Sequence, residues 1–260
     1  MIPQAAITEW AARVPWPTPE QIEQDLLLSR LIVEIARDDY LGNELIFRGG
    51  TCLHKLHTDR PWRYSEDLDY VRRTGGGIAD LTRAATRIGE ALGMEVRTRI
   101  TEQPKIDLRA PFESGGRMRV KIEVNTFERS PAIEPVRVGY AVRSSWFEGA
   151  ADVTTFALSE LVATKLRALY QRLKGRDLFD LWLAVTQLGV DPAEIIAAFA
   201  PYRPDGYTPG LAERNLREKL PRSIFRDDLR ALVSEWPGGY DIDSAAELIT
   251  SELIHRLRTT

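Results

Sequence analysis

The sequence of 260 residues contains one cysteine, three histidines and no long apolar run. A single cysteine cannot form an internal disulfide, and Met1-Ile2-Pro3-Gln4 shows no basic leader followed by an apolar segment. We therefore expect a cytoplasmic protein. No stretch approaches the roughly 18 apolar residues that a transmembrane helix needs, so no membrane partner is expected. A zinc site at Cys52, His54 and His57 is disfavoured, because zinc sites are tetrahedral and His255 is the only other histidine.

An excess of positive charge is also missing, since 35 lysines and arginines face 38 aspartates and glutamates for a net charge of −3. A protein that binds long nucleic acid by charge alone is usually basic, so any RNA contact must be local. The sequence has neither the Gly-Lys-[Ser/Thr] ending of a P-loop nor a Gly-x-Ser-x-Gly elbow. Its Asp-x-Asp follows Arg63-Tyr64-Ser65-Glu66 and not an apolar strand, which argues against a haloacid-dehalogenase phosphatase.

What the sequence does contain is a glycine pair followed by two closely spaced carboxylates. Apolar Leu45-Ile46-Phe47 predicts a strand that leads into Gly49-Gly50-Thr51, and Ser65-Glu66-Asp67-Leu68-Asp69 follows after a short helix-like stretch. Glycines allow a phosphate to approach backbone amides. Carboxylates at positions i and i+2 of a strand, here Asp67 and Asp69, point to one face and can share a divalent metal. The pattern indicates metal-assisted transfer of a nucleotide.

This order of elements resembles the nucleotidyltransferase superfamily of the DNA polymerase β type, and more narrowly the AbiEii/AbiGii abortive-infection toxins. Their first motif, Gly-Gly-Thr followed by Arg-[Phe/Tyr]-Ser-Glu-Asp-[Ile/Leu]-Asp, matches residues 49–51 and 63–69. The resemblance implies an α+β fold, with a polymerase-β-like core built on a mixed sheet and a C-terminal helical lobe. It also implies that Asp67 and Asp69 bind Mg²⁺ or Mn²⁺ and that Gly49, Gly50 and Thr51 cradle the NTP phosphates. Because Ser65 directly precedes the carboxylates, its hydroxyl is expected within reach of the metal or phosphate site; the alternative is a hydroxyl at the start of a strand that bonds to the backbone.

A third carboxylate is predicted on a neighbouring strand. In Arg117–Asn125, apolar Val120, Ile122 and Val124 alternate with charged or polar residues, so one face is expected to pack on the core. The polar face has two interpretations that the pattern leaves open. It is either an ordinary half-exposed strand or a face of the active site. The family resemblance favours the second and puts a metal ligand at Glu123.

A second motif lies on a predicted helix in the C-terminal half. Lys165 and Arg172 are seven positions apart and share a helical face beside a leucine stripe, which by spacing alone is typical of a solvated flank. Residues 165–181 resemble the family pattern Lys-Leu-x-Ala-Leu-x-x-Arg-x-x-x-Arg-Asp-x-x-Asp-Leu. By that resemblance Lys165 and Arg172 contact the phosphates. Asp177 or Asp180 either orients these cations or assists proton removal from the attacking hydroxyl, and Asp177 is the favoured of the two.

The chain is expected to divide into residues 1–150, which hold the N-terminal helices and the nucleotidyltransferase core, and residues 151–260, a helical lobe that completes the active site. Residues 131–149 are polar and contain proline, and they are predicted to be an irregular link between the two. The cleft between the two parts is where we expect the active site.

The predicted function is that of a metal-dependent nucleotidyltransferase which moves a nucleoside monophosphate from an NTP to an acceptor and releases pyrophosphate. The resemblance favours RNA as the acceptor, in particular a tRNA 3′ end, and a toxin that is paired with a cognate antitoxin. A small molecule or a protein side chain remains an alternative acceptor, and nucleotide binding without turnover is a further alternative. One set of basic residues is consistent with an RNA-docking face: Arg214, Arg217, Lys219, Arg222, Arg226 and Arg230.

Overall fold

The computed structural model describes residues 2–99, 104–127 and 131–257. The chain forms two compact units: Met1–Pro131 with Pro135–Phe156, and Ala132–Glu134 with Ala157–Thr260. None of the described helices is both long and apolar enough to span a membrane.

The first unit contains one seven-stranded mixed sheet and five helices. Its helices are α1 (Gln4–Ala11), α2 (Pro19–Arg37), α3 (Leu41–Glu44), α4 (Gly49–Leu56) and α5 (Ala79–Ala91), and its strands are β1 (Leu45–Arg48), β2 (Asp67–Arg72), β3 (Glu95–Arg99), β4 (Lys105–Pro111), β5 (Arg117–Asn125), β6 (Val136–Arg143) and β7 (Glu148–Thr155). The expected α+β fold with a mixed sheet is confirmed. The boundary predicted at 150/151 falls within β7.

The strand order is β3-β4-β5-β2-β1-β7-β6, which makes β2 the central strand. β2 pairs with β1 in the antiparallel sense and with β5 in the parallel sense, so that Asp69 lies opposite both Arg48 and Glu123. Leu68 and Tyr70 are buried, whereas Asp67 and Asp69 between and beside them remain partly exposed. The central strand therefore points its apolar residues into the core and its carboxylates toward the opposite face.

A buried ionic network ties α4 to α1 and α2. The carboxylate of Asp25 on α2 accepts hydrogen bonds from the indoles of Trp10 (2.8 Å) and Trp16 (2.9 Å). Lys55 on α4 lies 2.6 Å from the same carboxylate and also donates to Ser29. Because burial makes an unpaired charge costly, this pairing fixes α4, the helix that begins at the glycine pair, against α2.

The prediction of an irregular link over residues 131–149 is wrong for most of that segment. β6 and β7 pair in the antiparallel sense from Val136 opposite Thr155 to Arg143 opposite Glu148. β6 is an edge strand in which Val142 is the only buried residue. Its residues Val136, Val138, Tyr140 and Val142 do alternate with Arg137, Gly139, Ala141 and Arg143, a strand pattern that the polar and proline-containing surroundings obscured. The sequence also predicts a strand over Glu95–Thr101. The structure shows β3 over Glu95–Arg99, and the last two residues of the predicted strand, Ile100 and Thr101, lie outside the described part of the chain.

The second unit is helical, as expected for the C-terminal part. Its elements are α6 (Leu158–Gln171), α7 (Gly175–Thr186), α8 (Pro192–Phe199), a 3₁₀ turn (Ala200–Tyr202), α9 (Pro209–Lys219), α10 (Ser223–Arg226), α11 (Ile242–Ile249) and a π-helical turn (Thr250–Ile254). The sequence predicts a single helix over Asp241–Leu257. The structure instead shows an α-helix that ends at Ile249 and a π-helical turn that begins at Thr250. The core lies between the apolar faces of α6, α7, α8 and α11, which bury Leu161, Leu178, Phe199 and Ile249 completely.

Candidate active site

Gly49 is required at the start of α4 for two separate reasons. Its φ of +86° lies in the left-handed region, which L side chains rarely adopt. A Cβ at this position would also lie 2.3 Å from Oδ2 of Asp69. The carboxylate of Asp69 thus lies directly against the backbone of the glycine pair, which brings the first two parts of the sequence motif together.

Gly50 is needed because a buried arginine packs against it. A Cβ on Gly50 would lie 2.2 Å from Nη2 of Arg63, whose side chain is only 2% exposed. Nη1 of Arg63 donates to the carbonyl of Tyr64 at 3.2 Å. The sequence indicates no role for Arg63 beyond its place in the motif. In the structure its guanidinium packs against Gly50 and so supports the glycine loop.

The hydroxyl of Thr51 connects α4 to the chain just ahead of β2. It donates to the carbonyl oxygen of Asp67 at 2.5 Å and lies 2.9 Å from Oγ of Ser65. Thr51 is buried, whereas Ser65 is partly exposed. These contacts hold the segment that carries the two aspartates against the first turn of α4.

Three carboxylates and one ammonium occupy the same face of β2 and β5. In the parallel register Asp67 lies opposite Lys121 and Asp69 lies opposite Glu123. Nζ of Lys121 lies 2.8 Å from Oε1 of Glu123 and 3.4 Å from Oδ2 of Asp67. Lys105 on β4 contacts the same Glu123 oxygen at 3.1 Å. Although burial favours the neutral carboxyl, hydrogen bonds from Lys121 and Lys105 hold the pKa of Glu123 below its usual range.

In the second unit, the residues of the second motif form two ion pairs, each on a buried aspartate. Nζ of Lys165 lies 2.8 Å from Oδ2 of Asp180. Arg172 donates through Nε (3.0 Å) and Nη2 (2.5 Å) to the two oxygens of Asp177. Both aspartates have no exposed area, and Lys165 is 5% exposed. The interpretation of Lys165 as part of a solvated flank is therefore wrong, because the helix turns this residue toward α7 and not toward solvent.

The turn between α6 and α7 is fixed by contacts from later in the chain. A Cβ on Gly175 would lie 2.2 Å from the carbonyl oxygen of Phe225. Arg176 donates to Asp228 through its backbone N–H (3.1 Å) and its side chain (2.8 and 2.9 Å). Lys219 donates to the carbonyls of Leu169 (2.5 Å) and Tyr170 (2.8 Å), which lie in the last turn of α6. Burial lowers the pKa of Lys219 to about 8.

Comparison with known proteins identifies the family. A sequence model of the family described as "Nucleotidyl transferase AbiEii toxin, Type IV TA system" matches residues 30–247, which include both motifs. The chain belongs to the AbiEii nucleotidyltransferase toxin family. Membership assigns it nucleotidyltransferase chemistry and the toxin role of a type IV toxin–antitoxin system.

A solved structure supports the fold of this AbiEii chain. MenT4, a nucleotidyltransferase toxin from Mycobacterium tuberculosis H37Rv, aligns with a TM-score of 0.52 and 17% identity over 96% of this chain and 99% of that chain. An antigenic nucleotidyltransferase-like protein from Paracoccidioides brasiliensis aligns with a TM-score of 0.40 and 17% identity over 80% and 93%. No curated protein sequence matches significantly. At this identity the MenT4 match supports the fold alone.

The carboxylates beside the glycine pair are the candidate metal ligands of this AbiEii chain. Among the described residues, no group of three His, Cys, Asp or Glu side chains is arranged to hold a metal ion. Glu123 is engaged by Lys105 and Lys121, and Lys121 also contacts Asp67, which shares a face with Asp69 beside the glycine pair. Mg²⁺ commonly uses one or two carboxylates and takes its other ligands from phosphates and water. Asp67 and Asp69 fit such a site, and the assignment of Glu123 as a ligand stays a prediction.

The basic residues that suggested an RNA-docking face are mostly neutralised. Arg217 pairs with Glu213, Arg226 with Asp243, and Arg230 with Asp227. Lys219 is buried, as described above. The exposed arginines of this set that have no carboxylate partner among the described residues are Arg214 and Arg222. The sequence already shows that Glu213, Glu218, Asp227 and Asp228 dilute this face, and the pairs Glu213–Arg217 and Asp227–Arg230 have helical i,i+4 and i,i+3 spacing. The pairing of Arg226 with Asp243 is not visible in the sequence.

Proposed function

We propose that this AbiEii chain transfers a nucleoside monophosphate from an NTP to RNA, with a tRNA 3′ end as the favoured acceptor, and that its antitoxin partner restrains this activity. The observation that carries the proposal is the contact between the backbone of Gly49 and the carboxylate of Asp69, with Asp67 two residues away on the same face. This arrangement puts carboxylate oxygens next to a backbone that only glycine can form.

In the proposed mechanism, Asp67 and Asp69 hold Mg²⁺ or Mn²⁺, which supplies charge to polarise the phosphates of the bound NTP. Gly49 and Gly50 allow the triphosphate to approach the first turn of α4, where backbone N–H groups point outward. Thr51 and Ser65 hold this turn against β2 through their hydroxyls, which lie 2.9 Å apart. Fixing the loop in advance lowers the reorganisation needed when the substrate binds.

In this proposal, Lys165 and Arg172 are the cations that bind the NTP phosphates. Arg172 is half exposed while it donates to Asp177, and Lys165 is held by Asp180. Because Asp177 is fully buried and accepts two hydrogen bonds from Arg172, we assign it an orienting role and not that of a proton acceptor. A bidentate aspartate fixes the plane of the guanidinium and therefore the directions in which its N–H groups point, which favours binding of phosphate.

RNA as the acceptor is supported by the toxin family and by a local pair of exposed arginines. Arg214 and Arg222 are exposed and can bind RNA phosphates. The net charge of −3 argues against a large basic surface. We therefore expect RNA binding that weakens measurably but not steeply with salt.

The test is incubation of the protein with each labelled NTP, Mg²⁺ or Mn²⁺, and total RNA, followed by detection of label on RNA, protein or neither. We expect label on RNA. Asp67→Asn and Asp69→Asn should each lower transfer at least about 100-fold, because loss of a charged ligand weakens stabilisation of the reacting phosphates. Both side chains are partly exposed, so the melting temperature should change little.

The matched control is Glu66→Gln, which removes an exposed carboxylate next to Asp67 and should leave transfer unchanged. Label on protein or on a small molecule would replace RNA with another acceptor. Transfer within a few-fold of wild type in both aspartate variants would refute the assignment of the metal pair.

A further inference from the structure

Lys121 has an unusual position, because its ammonium lies between two carboxylates of the candidate active site. It is on β5, opposite Asp67 in the register with β2 and two residues before Glu123. Its Nζ lies 2.8 Å from Glu123 Oε1 and 3.4 Å from Asp67 Oδ2. The side chain is 24% exposed, so it is neither a buried structural lysine nor a fully solvated one.

The ammonium of Lys121 lies among carboxylates whose negative charges it partly compensates. Asp67, Asp69 and Glu123 lie on one face of two neighbouring strands, where like charges destabilise a sheet. The ammonium of Lys121 reduces this repulsion. Glu123 has a second cation in Lys105, whereas within the described part of the chain Lys121 is the only cation within 4.0 Å of Asp67.

We propose that Lys121 competes with the divalent metal for Asp67: the ammonium neutralises the carboxylates while no metal is bound, and it leaves Asp67 when a metal binds. The inference rests on the proposed function, in which Asp67 and Asp69 hold the metal. A lysine suits this exchange, because its ammonium is a compact charge on a flexible four-carbon stem and can keep its contact with Glu123 as it moves.

If Lys121 competes with the metal, its removal should change the stability of the metal-free protein and the affinity for metal in opposite directions. Removing Lys121 should destabilise the metal-free protein, since three carboxylates then face each other with less compensation. The same change should strengthen metal binding, since no ammonium has to be displaced from Asp67. A lysine that only supported the site would instead weaken both.

The experiment uses Lys121→Met, which keeps the length of the stem and removes the charge. Mn²⁺ binding is measured by calorimetry on the full chain, and thermal unfolding is followed in EDTA and in saturating Mn²⁺. We expect Mn²⁺ to bind about fivefold more tightly to the variant, which corresponds to one unit charge at about 4 Å in a water-like dielectric. The melting temperature should fall in EDTA, and the difference from wild type should shrink or reverse in Mn²⁺.

Lys105→Met is the matched control, because Lys105 contacts Glu123 and not Asp67. It should change Mn²⁺ affinity less than Lys121→Met. Equal or weaker Mn²⁺ binding by Lys121→Met, with wild type and Asp67→Asn differing as expected, overturns the competition and leaves the proposed function standing. Absence of Mn²⁺ binding by wild type itself overturns the competition together with the metal assignment.

Discussion

The charged residues of the sheet and those of the helical unit differ in how their carboxylates are solvated and how they share cations. On β2 and β5, Asp67 and Glu123 are partly exposed and share the ammonium of Lys121. In the helical unit, Asp177 and Asp180 have no exposed area, and each is engaged by one basic residue of α6 or its C-terminus. A carboxylate that is solvated and shares its cation can exchange partners at low cost, whereas a buried pair cannot.

This difference assigns separate tasks to the two groups. The sheet carboxylates are suited to bind and release a cation during turnover. The buried aspartates are suited to hold Lys165 and Arg172 in one geometry, because removing either cation leaves an uncompensated carboxylate away from water. We therefore expect variants of the first group to change activity before stability, and variants of the second group to change stability first.

The strongest way to test this difference is Asp180→Ala. It leaves the ammonium of Lys165 buried without its carboxylate, and we expect a loss of about 3–5 kcal/mol in the free energy of unfolding. Urea denaturation followed by circular dichroism measures it. The double variant Lys165→Met with Asp180→Leu removes both charges and should recover most of the loss. Equal stability of Asp180→Ala and wild type would mean that the pair is solvated and the comparison is invalid.

A second test compares two glycines that both have a positive φ. Gly49 (φ +86°) has the Asp69 carboxylate 2.3 Å from the position of a Cβ, while Gly76 (φ +101°) has no atom within 4 Å. Alanine at either position meets the same kind of backbone strain, on the order of 1–2 kcal/mol. Gly49→Ala should additionally displace Asp69.

We therefore expect Gly49→Ala to lose Mn²⁺ affinity and nucleotide transfer, with Gly76→Ala close to wild type in both. Stability should fall in both variants and fall further in Gly49→Ala, as measured by urea denaturation. If the two variants lose activity to the same extent, backbone strain alone explains the loss. The contact of Gly49 with Asp69 would then contribute nothing to nucleotide transfer.

Local periodicity predicted most of the framework and much of the candidate site. The alternation in residues 117–125 predicted β5 with its charged face, and the spacing of Lys165 and Arg172 beside a leucine stripe predicted the helix observed as α6. These signals come from burial on one face, which the sequence records directly. β6 was missed although its apolar residues alternate, because the polar and proline-containing character of residues 131–149 as a whole indicated a link.

What the sequence could not predict is which charge pairs with which. Lys121 and Glu123 are two residues apart, but the contact of Lys121 with Asp67 depends on the pairing of β5 with β2. Asp177 was favoured over Asp180 for the site, and the structure pairs each with a different cation. Such partners are set by long-range register and helix packing, which no local pattern specifies.

The smallest effect that we expect concerns Lys219, a buried cation of the helical unit that has no carboxylate contact within 4.0 Å among the described residues. Burial lowers its pKa to about 8 in the folded chain, against about 10.4 in an unfolded one. Between these values the unfolded chain binds more protons, so this residue makes stability rise with pH, by at most about 1.4 kcal/mol per pH unit. Below pH 8 both states are protonated, and its contribution is constant.

The measurement is the free energy of unfolding of wild type minus that of Lys219→Met at pH 7, 8, 9 and 10, which cancels the titration of groups common to both. We expect this difference to be flat from pH 7 to 8 and to increase toward pH 10. An ammonium with its ordinary pKa would give a flat difference over the whole range. A difference that decreases with pH would mean that the charged form is stabilised by its contacts with the carbonyls of Leu169 and Tyr170, and Lys219 would then belong with the paired cations of its unit.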